Sequence, residues 1–244
     1  MSYKFAFYTN DYFDKIQQMI LDSYQWDFPV FGISRMEFAA YLHPYFIGMN
    51  SVWERTCGVW FDENKIVACA INEANDEGEA FFIFDSRKRA EDSLLIEEMI
   101  FFAKTTMSTV SDDGITRSVT LHIPQWNSTL KNIAEKSGFI NNNWDDKLLI
   151  LPFGDKDFQV KLPDGYVFVT GDEVPPFYAA NVHMAAFNYS IKSVKNGEKA
   201  FTDLRNAPHY NPKLSLYILD SQKRPVAFAN IWYCEKMPYC ELEP

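Results

Sequence analysis

The sequence predicts an α/β chain of the α+β kind, with two mixed and mostly antiparallel sheets flanked by helices. Three observations predict it. Apolar residues recur at helical spacing in some stretches and alternate strictly in others, and the strand-type stretches gather into meanders. A polar, turn-rich run from Gly154 to Gly165 (GDKDFQVKLPDG) divides the chain. After that run, the order of elements seen in the first part begins again. The expected organisation is one domain over 1–153, a linker over 154–165, and the first half of a second domain over 166–244, ending after its fourth strand. With 244 residues, 47% hydrophobic and 16% aromatic, the chain can fill two cores, largely with rings.

The elements follow in order. Phe5 to Tyr8 supplies a short opening strand. DYFDKIQQMILDSY, Asp11 to Tyr24, places Ile16, Met19 and Ile20 on one helical face. Pro29 and Gly32 break that helix, and SRMEFAAYLHPYF restarts one, with Ser34 and Glu37 spaced as a capping box. CGVWF, KIVACAINEA and GEAFFIF are short, β-rich and separated by turn residues, as in an antiparallel meander. EDSLLIEEMIFFAKTTM returns to helical spacing, and SVTLHIP alternates as a strand. NSTLKNIAEKSGF, Asn127 to Phe139, is helical, with Leu130, Ile133 and Ala134 on its oily face and Gly138 at its stop. DDKLLILPF then reads as a closing strand.

Beyond the linker, YVFVT reads as a strand. PPFYAANVHMAAF starts on prolines suited to a first helical turn, and GEKAFTDLRNAP gives a second short helix. LSLYILDSQKRPVAFANIWY repeats the strand, Asp-led turn and strand of VWFDENKIVACAINE. Asp62 matches Asp220, and Val67 and Ala68 match Val226 and Ala227. PYCELEP falls where GEAFFIF fell. A half-sheet ending there leaves a free edge and an uncovered apolar face. The first half, another chain in a homo-oligomer, or further sequence would have to cover it.

Composition narrows the function. Lys plus Arg total 23 against 33 Asp plus Glu, a net charge of −10, which argues against binding a phosphate backbone. No signal-type N-terminus or membrane-length apolar run occurs, so the expectation is a cytoplasmic protein with no membrane partner. The four cysteines, Cys57, Cys69, Cys234 and Cys240, form no metal-ligand spacing with each other or with His43, His122, His183 and His209, so no metal is expected. Cys69 reads as a small hydrophobe in an alternating run. His122 alternates in a strand and reads as polar-face, and His183 as mostly structural. GxSxG, P-loop and HExxH patterns are absent, leaving hydrolase and nucleotide chemistry without support. The aromatic run YQWDFPVF could line an amine pocket or simply staple a loop to the core.

This order of elements resembles the GNAT superfamily of acyl-CoA-dependent N-acetyltransferases, present twice in tandem. NSTLKNIAEKSGF carries the sharpest likeness, an Asn, a helical run and a Gly-Phe stop. The resemblance implies acetyl-CoA as co-substrate and a small-molecule or peptide amine as acceptor. Two departures stand out. Ala134 occupies the place of the family's tyrosine, which can protonate the departing thiolate. FDSRKRAEDSLLIEEM stands where the family has a glycine-rich turn whose amides grip the CoA diphosphate, and it contains no glycine. Arg87, Lys88 and Arg89 could meet phosphate there or form an ordinary solvated charge run, and Glu91 and Asp92 would repel it. In the second copy, CELEP resembles the end of the family's fourth strand, which often carries the general base. Glu241 and Glu243 share one face of that strand and are the catalytic candidates, with solvent-facing strand residues as the plainer reading. Two functions follow: an N-acetyltransferase with its chemistry in the second copy, or a non-catalytic GNAT-like binding or interaction module.

Overall fold

The computed structural model describes residues 3–26, 29–41, 49–73, 78–110, 113–145, 147–152, 154, 159–189 and 191–243. In the first half, β1 (Lys4–Phe7) is followed by α1 (Phe13–Ser23), α2 (Ile33–Tyr41) and α3 (Met49–Thr56). The meander β2 (Gly58–Asp62), β3 (Lys65–Ile71) and β4 (Glu79–Phe84) comes next, as the short β-rich runs between turn residues predicted. A short helix α4 (Arg87–Ala90), helix α5 (Ser93–Phe102) and a π-type turn then cross over the sheet. The chain passes through a two-residue ladder, β5 (Thr109–Val110) with β6 (Arg117–Ser118), and returns as β7 (Thr120–His122) before α6 (Ser128–Lys136). The sheet order is β1-β2-β3-β4-β7. Every pair is antiparallel except β4 with β7, which is parallel, so a long crossover is obligatory there.

Two cores flank this sheet. On one face α1, α2, α3 and the connection between the first two bury Ile20, Met36, Trp53 and Phe31 against Val59, Cys69 and Phe81. On the other, α5 and α6 bury Leu95, Ile96, Met99 and Leu130 against Trp60, Ala68 and Phe82. Strands covered on both faces explain why β3 and β4 read as near-continuous apolar runs.

The second half contains β8 (Val167–Thr170), α7 (Phe177–Ala186), α8 (Ile191–Leu204), β9 (Ser215–Leu219), β10 (Pro225–Trp232) and β11 (Glu241–Glu243). Its strands form an antiparallel sheet in the order β8-β9-β10-β11. Helices α7 and α8 cover one face, burying Ala180, Met184, Phe201 and Leu204 against Tyr217 and Trp232. The expected uncovered apolar face is present on the other side, where Leu216 and Leu242 are exposed.

Helix α2 joins the halves. Its residues Ile33 and Met36 belong to the first core, while Phe38 and Tyr41 pack against the second. Between them sits Glu37, with no exposed surface. Its carboxyl group accepts from the Gln17 amide at 2.5 Å and from the His209 backbone N–H at 3.0 Å, and it meets the His209 Nδ1 at 2.5 Å. The loop before β11 adds Met237, which is buried in the first core.

Three expectations need correction. The capping box at Ser34 does not form, because α2 begins at Ile33 and Glu37 faces inward. A helix, α3, occupies a stretch to which the sequence reading assigned no element; its Trp53 indole donates to the Asn72 carbonyl at 3.1 Å. The expected closing strand DDKLLILPF does not form over its described residues, which pair with no strand, and Leu149 is 87% exposed; Asp146 and Phe153 lie outside the described residues. Consecutive Leu and Ile residues suit a strand covered on both sides, and among the described residues nothing covers this one. Part of the second helix and of the linker, residues 42–48 and 155–158, also lies outside them.

Replacing Glu37 by Ala strands a buried amide and the His209 backbone N–H together. The expected loss is about 3 kcal/mol of stability. Chemical denaturation followed by tryptophan fluorescence and by circular dichroism checks it, and the two signals are expected to separate as the halves uncouple.

Candidate functional site

The parallel pairing of β4 with β7 ends at Phe81 and His122. Beyond it the two strands flank a narrow cleft of about 20 Å3, lined by Phe82 to Phe84, Pro124, Trp126 and Asn127, and by Ser23, Trp26, Pro29 and Val30. Part of the aromatic run that suggested an amine pocket therefore does line a cleft. Trp26 and Trp126 meet edge to face with ring centres 6.0 Å apart, and the Trp26 indole N–H is buried without a hydrogen-bond partner. Asn127 holds the cleft floor: its amide donates to the Ala90 carbonyl at 2.8 Å, and its side-chain oxygen caps α6 at the Leu130 N–H, 2.9 Å away.

A diphosphate in this half would need the first amides of α5. Asp92 already takes them, accepting from Leu94 and Leu95 at 3.1 and 3.4 Å and from the Tyr3 hydroxyl at 2.5 Å. Burial opposes ionisation of Asp92, but these hydrogen bonds overcome it and hold the carboxyl below its ordinary range. Two of the nearby cations are engaged as well. Arg87 pairs with Glu91 at 3.2 Å and lies over the Trp126 ring, while Arg89 binds Asp62 and donates to the Tyr3 hydroxyl at 2.6 Å. Ala134 is buried in the α5–α6 core.

The two sequence candidates, Glu241 and Glu243, lie together at the junction of the halves. Alternation along β11 turns both to the side of Trp232 and Asn230, with Leu242 opposite, because each pairs across β10 with those residues. Glu241 reaches the start of α2. It accepts from the Tyr24 hydroxyl and, at 3.3 Å, from the Ser34 backbone N–H. The Tyr24 hydroxyl in turn accepts from the Ile33 N–H at 3.0 Å. The orphan amides of a helix N-terminus are thereby satisfied by groups from α1 and β11. Burial and the Glu241 carboxylate together raise the Tyr24 phenol well above its usual range. A Cβ at Gly32 would lie 2.6 Å from the Glu241 carboxyl oxygen and 2.9 Å from the Tyr24 hydroxyl, so a side chain there would push these groups aside.

Glu243 sits one pleat further along. Burial raises its pKa above the ordinary glutamate range, opposed by Arg35 and by a hydrogen bond with Ser34 and reinforced by Glu241 and Glu73. Arg35 itself pairs with Glu73 at 3.2 Å. Strand for strand, the first half has Phe81 at the position of Glu243 and Glu79 at that of Glu241. The Glu79 carboxyl binds the His122 Nε2 at 2.8 Å, and His122 stacks on Phe81 at 4.1 Å. His183 is enclosed by Phe38, Phe187 and Phe201, and burial lowers its pKa.

Sequence reasoning missed Tyr24, Gly32, Arg35, Glu37 and Glu73. The signal available was weak: a glycine just ahead of a helix whose own cap was thought to be Ser34. No helix among the described residues is long and apolar enough to cross a membrane. No family model, curated protein or solved structure matches the chain.

Two expectations follow. A carboxyl whose folded pKa is raised binds more protons in the folded state than in the unfolded one, so stability falls as pH rises through the interval between the two values. Glu243→Gln should therefore raise the melting temperature at neutral pH and have no such effect at about pH 3, where both states are protonated. Thermal denaturation at the two pH values reads it. Separately, acetyl-CoA up to about 1 mM should give no saturable change in Trp26 and Trp126 fluorescence, since Asp92 holds the α5 amides.

Proposed function

We propose that this chain is a tandem GNAT-like protein that moves an acetyl group from a coenzyme A thioester to an amine, with Glu243 as the base and the first half as a scaffold. One observation carries the reading: Glu243 is a half-buried carboxyl of raised pKa on the last strand of the second sheet, facing the start of α2. A base of that kind, poised nearer the working pH than an ordinary glutamate, suits removal of a proton from an ammonium. The released amine attacks the thioester carbonyl, the tetrahedral adduct collapses, and the thiolate leaves and takes up a proton. Glu241 is a positioning residue in this reading, because its hydrogen bonds to Tyr24 and Ser34 hold β11 against α2. The acceptor, a small-molecule or peptide amine, would approach past Ser34, Arg35 and Glu73.

The first half supports a scaffold role. Phe81 replaces a base, Asp92 fills the anion seat, and Ala134 offers no phenol. By the correspondence of the halves, the diphosphate turn of the second would fall after Glu243, beyond the described residues. The filled anion seat also favours a second reading, in which the chain is a non-catalytic GNAT-like binding module.

The discriminating experiment uses a thioester that needs no diphosphate grip, S-acetyl-N-acetylcysteamine, with a panel of polyamines, aminosugars and peptide N-termini. Acetylation of at least one amine is expected, rising with pH and falling about 100-fold in Glu243→Gln. No acetylation of any amine by folded protein leaves the binding module standing.

A further inference from the structure

Arg35 stands between carboxyl groups from both halves. It follows Ser34 on α2, and Ser34 hydrogen-bonds Glu243, so one turn of helix brings the arginine to the candidate base. The guanidinium turns elsewhere. Its Nη1 donates to Glu73, just past the end of β3, at 3.2 Å, and its central carbon lies over the Phe81 ring, 5.3 Å from the ring centre. The Arg35 and Glu73 side chains are 35% and 33% exposed, so burial does not lock this arrangement.

The platform under the guanidinium is fixed. Phe81 is buried in the first core, meets Phe31 at 5.1 Å and is stacked by His122 at 4.1 Å, while Glu79 holds His122 at 2.8 Å. A held ring face attracts a guanidinium through its quadrupole. The other seat is within the influence of Arg35, since its charge acts on Glu243. A guanidinium at ion-pair distance from a carboxyl group lowers its pKa by roughly 1–3 units. Such a contact would make Glu243 a weaker base. Among the described residues, however, the ion pair of Arg35 is with Glu73.

We infer that Glu73 is a positioning residue for Glu243: by binding Arg35 against the Phe81 ring, it keeps the guanidinium out of ion-pair contact with that carboxyl group. The role rests on the reading of Glu243 as a base, but the arrangement itself can be measured without any reaction. The charged groups that face Glu243 are Arg35 from α2, Glu241 from its own strand and Glu73 from the end of β3, and its partner across β10 is the neutral Asn230. Glu241 is already held by the Tyr24 hydroxyl and the Ser34 N–H. With the charge of Glu73 removed, Glu243 is therefore the carboxyl group left for Arg35 to approach.

The test is a titration of the Glu243 carboxyl carbon by NMR in the full chain labelled at glutamate, with the resonance assigned by its loss in Glu243→Gln. Glu73→Gln should lower the pKa of Glu243 by about one unit. Glu73→Asp, which keeps the charge, should restore most of the wild-type value, and a merely structural role for Glu73 would not give that rescue. Arg35→Gln alone should raise the pKa. In that background Glu73→Gln should move it by less than about 0.3 unit, because the effect runs through the guanidinium. The inference is overturned if Glu73→Gln leaves Glu243 unmoved, or moves it as far without Arg35 as with it. The acyl-transfer reading is judged separately with the thioester assay. There the acid limb of the pH–rate profile should move down by the same interval in Glu73→Gln. A titration shift without acetylation of any amine would overturn the role of Glu243 as a base and leave the Glu73–Arg35 arrangement standing.

Discussion

Glu37, a carboxyl group buried at the centre of α2, holds the two halves in one arrangement. Its two oxygens must be matched, because an unmatched buried carboxyl costs several kcal/mol. Gln17 from α1 supplies one partner and His209 from the second half supplies the rest. Hydrophobic contact alone would let α2 slide between the cores it touches. The hydrogen bonds are directional, so they select one register of the second half against the first.

That register places β11 at the start of α2. A helix leaves its first amides without partners, and here Tyr24 and Glu241 answer them from outside the helix. Gly32 leaves the space for that carboxyl. The same arrangement carries Glu243 into a setting of partial burial beside Arg35, Glu73 and Ser34. The environment of the candidate base is therefore a consequence of how the halves lock, since Ser34, Arg35 and Glu73 all lie far from it in sequence.

Particular elements show what was readable in advance. The meanders were legible because β2, β3, β9 and β10 combine β-branched and aromatic residues with short turns. The helix at Asn127 was legible to its cap and its glycine stop. The segment Lys147 to Leu151 was misread, since strand-type residues make a strand only where a neighbouring edge accepts them. Ser34 and Glu37 matched a local capping pattern, yet Glu37 turned inward because a distant histidine and glutamine offered a better use of its carboxyl. Glu241 and Glu243 were named from the resemblance of CELEP to a family strand that often carries the base, and alternation placed them on one face, as the register has them. Alternation had no access to their difference: Glu241 is consumed by the start of α2, and Glu243 is left as the group with a raised pKa.

By itself, the amino-acid order determined the local periodicities and the turns between strands, because these depend on spacing over a few residues. Only the tertiary structure decided which carboxyl groups are shared between halves, which helix end they cap, and that Asp92 fills the first amides of α5. Those outcomes depend on pairs such as Glu37 with His209 and Tyr24 with Glu241, separated by 172 and 217 positions. Their proximity is set by the packing of whole elements, and no local pattern encodes it.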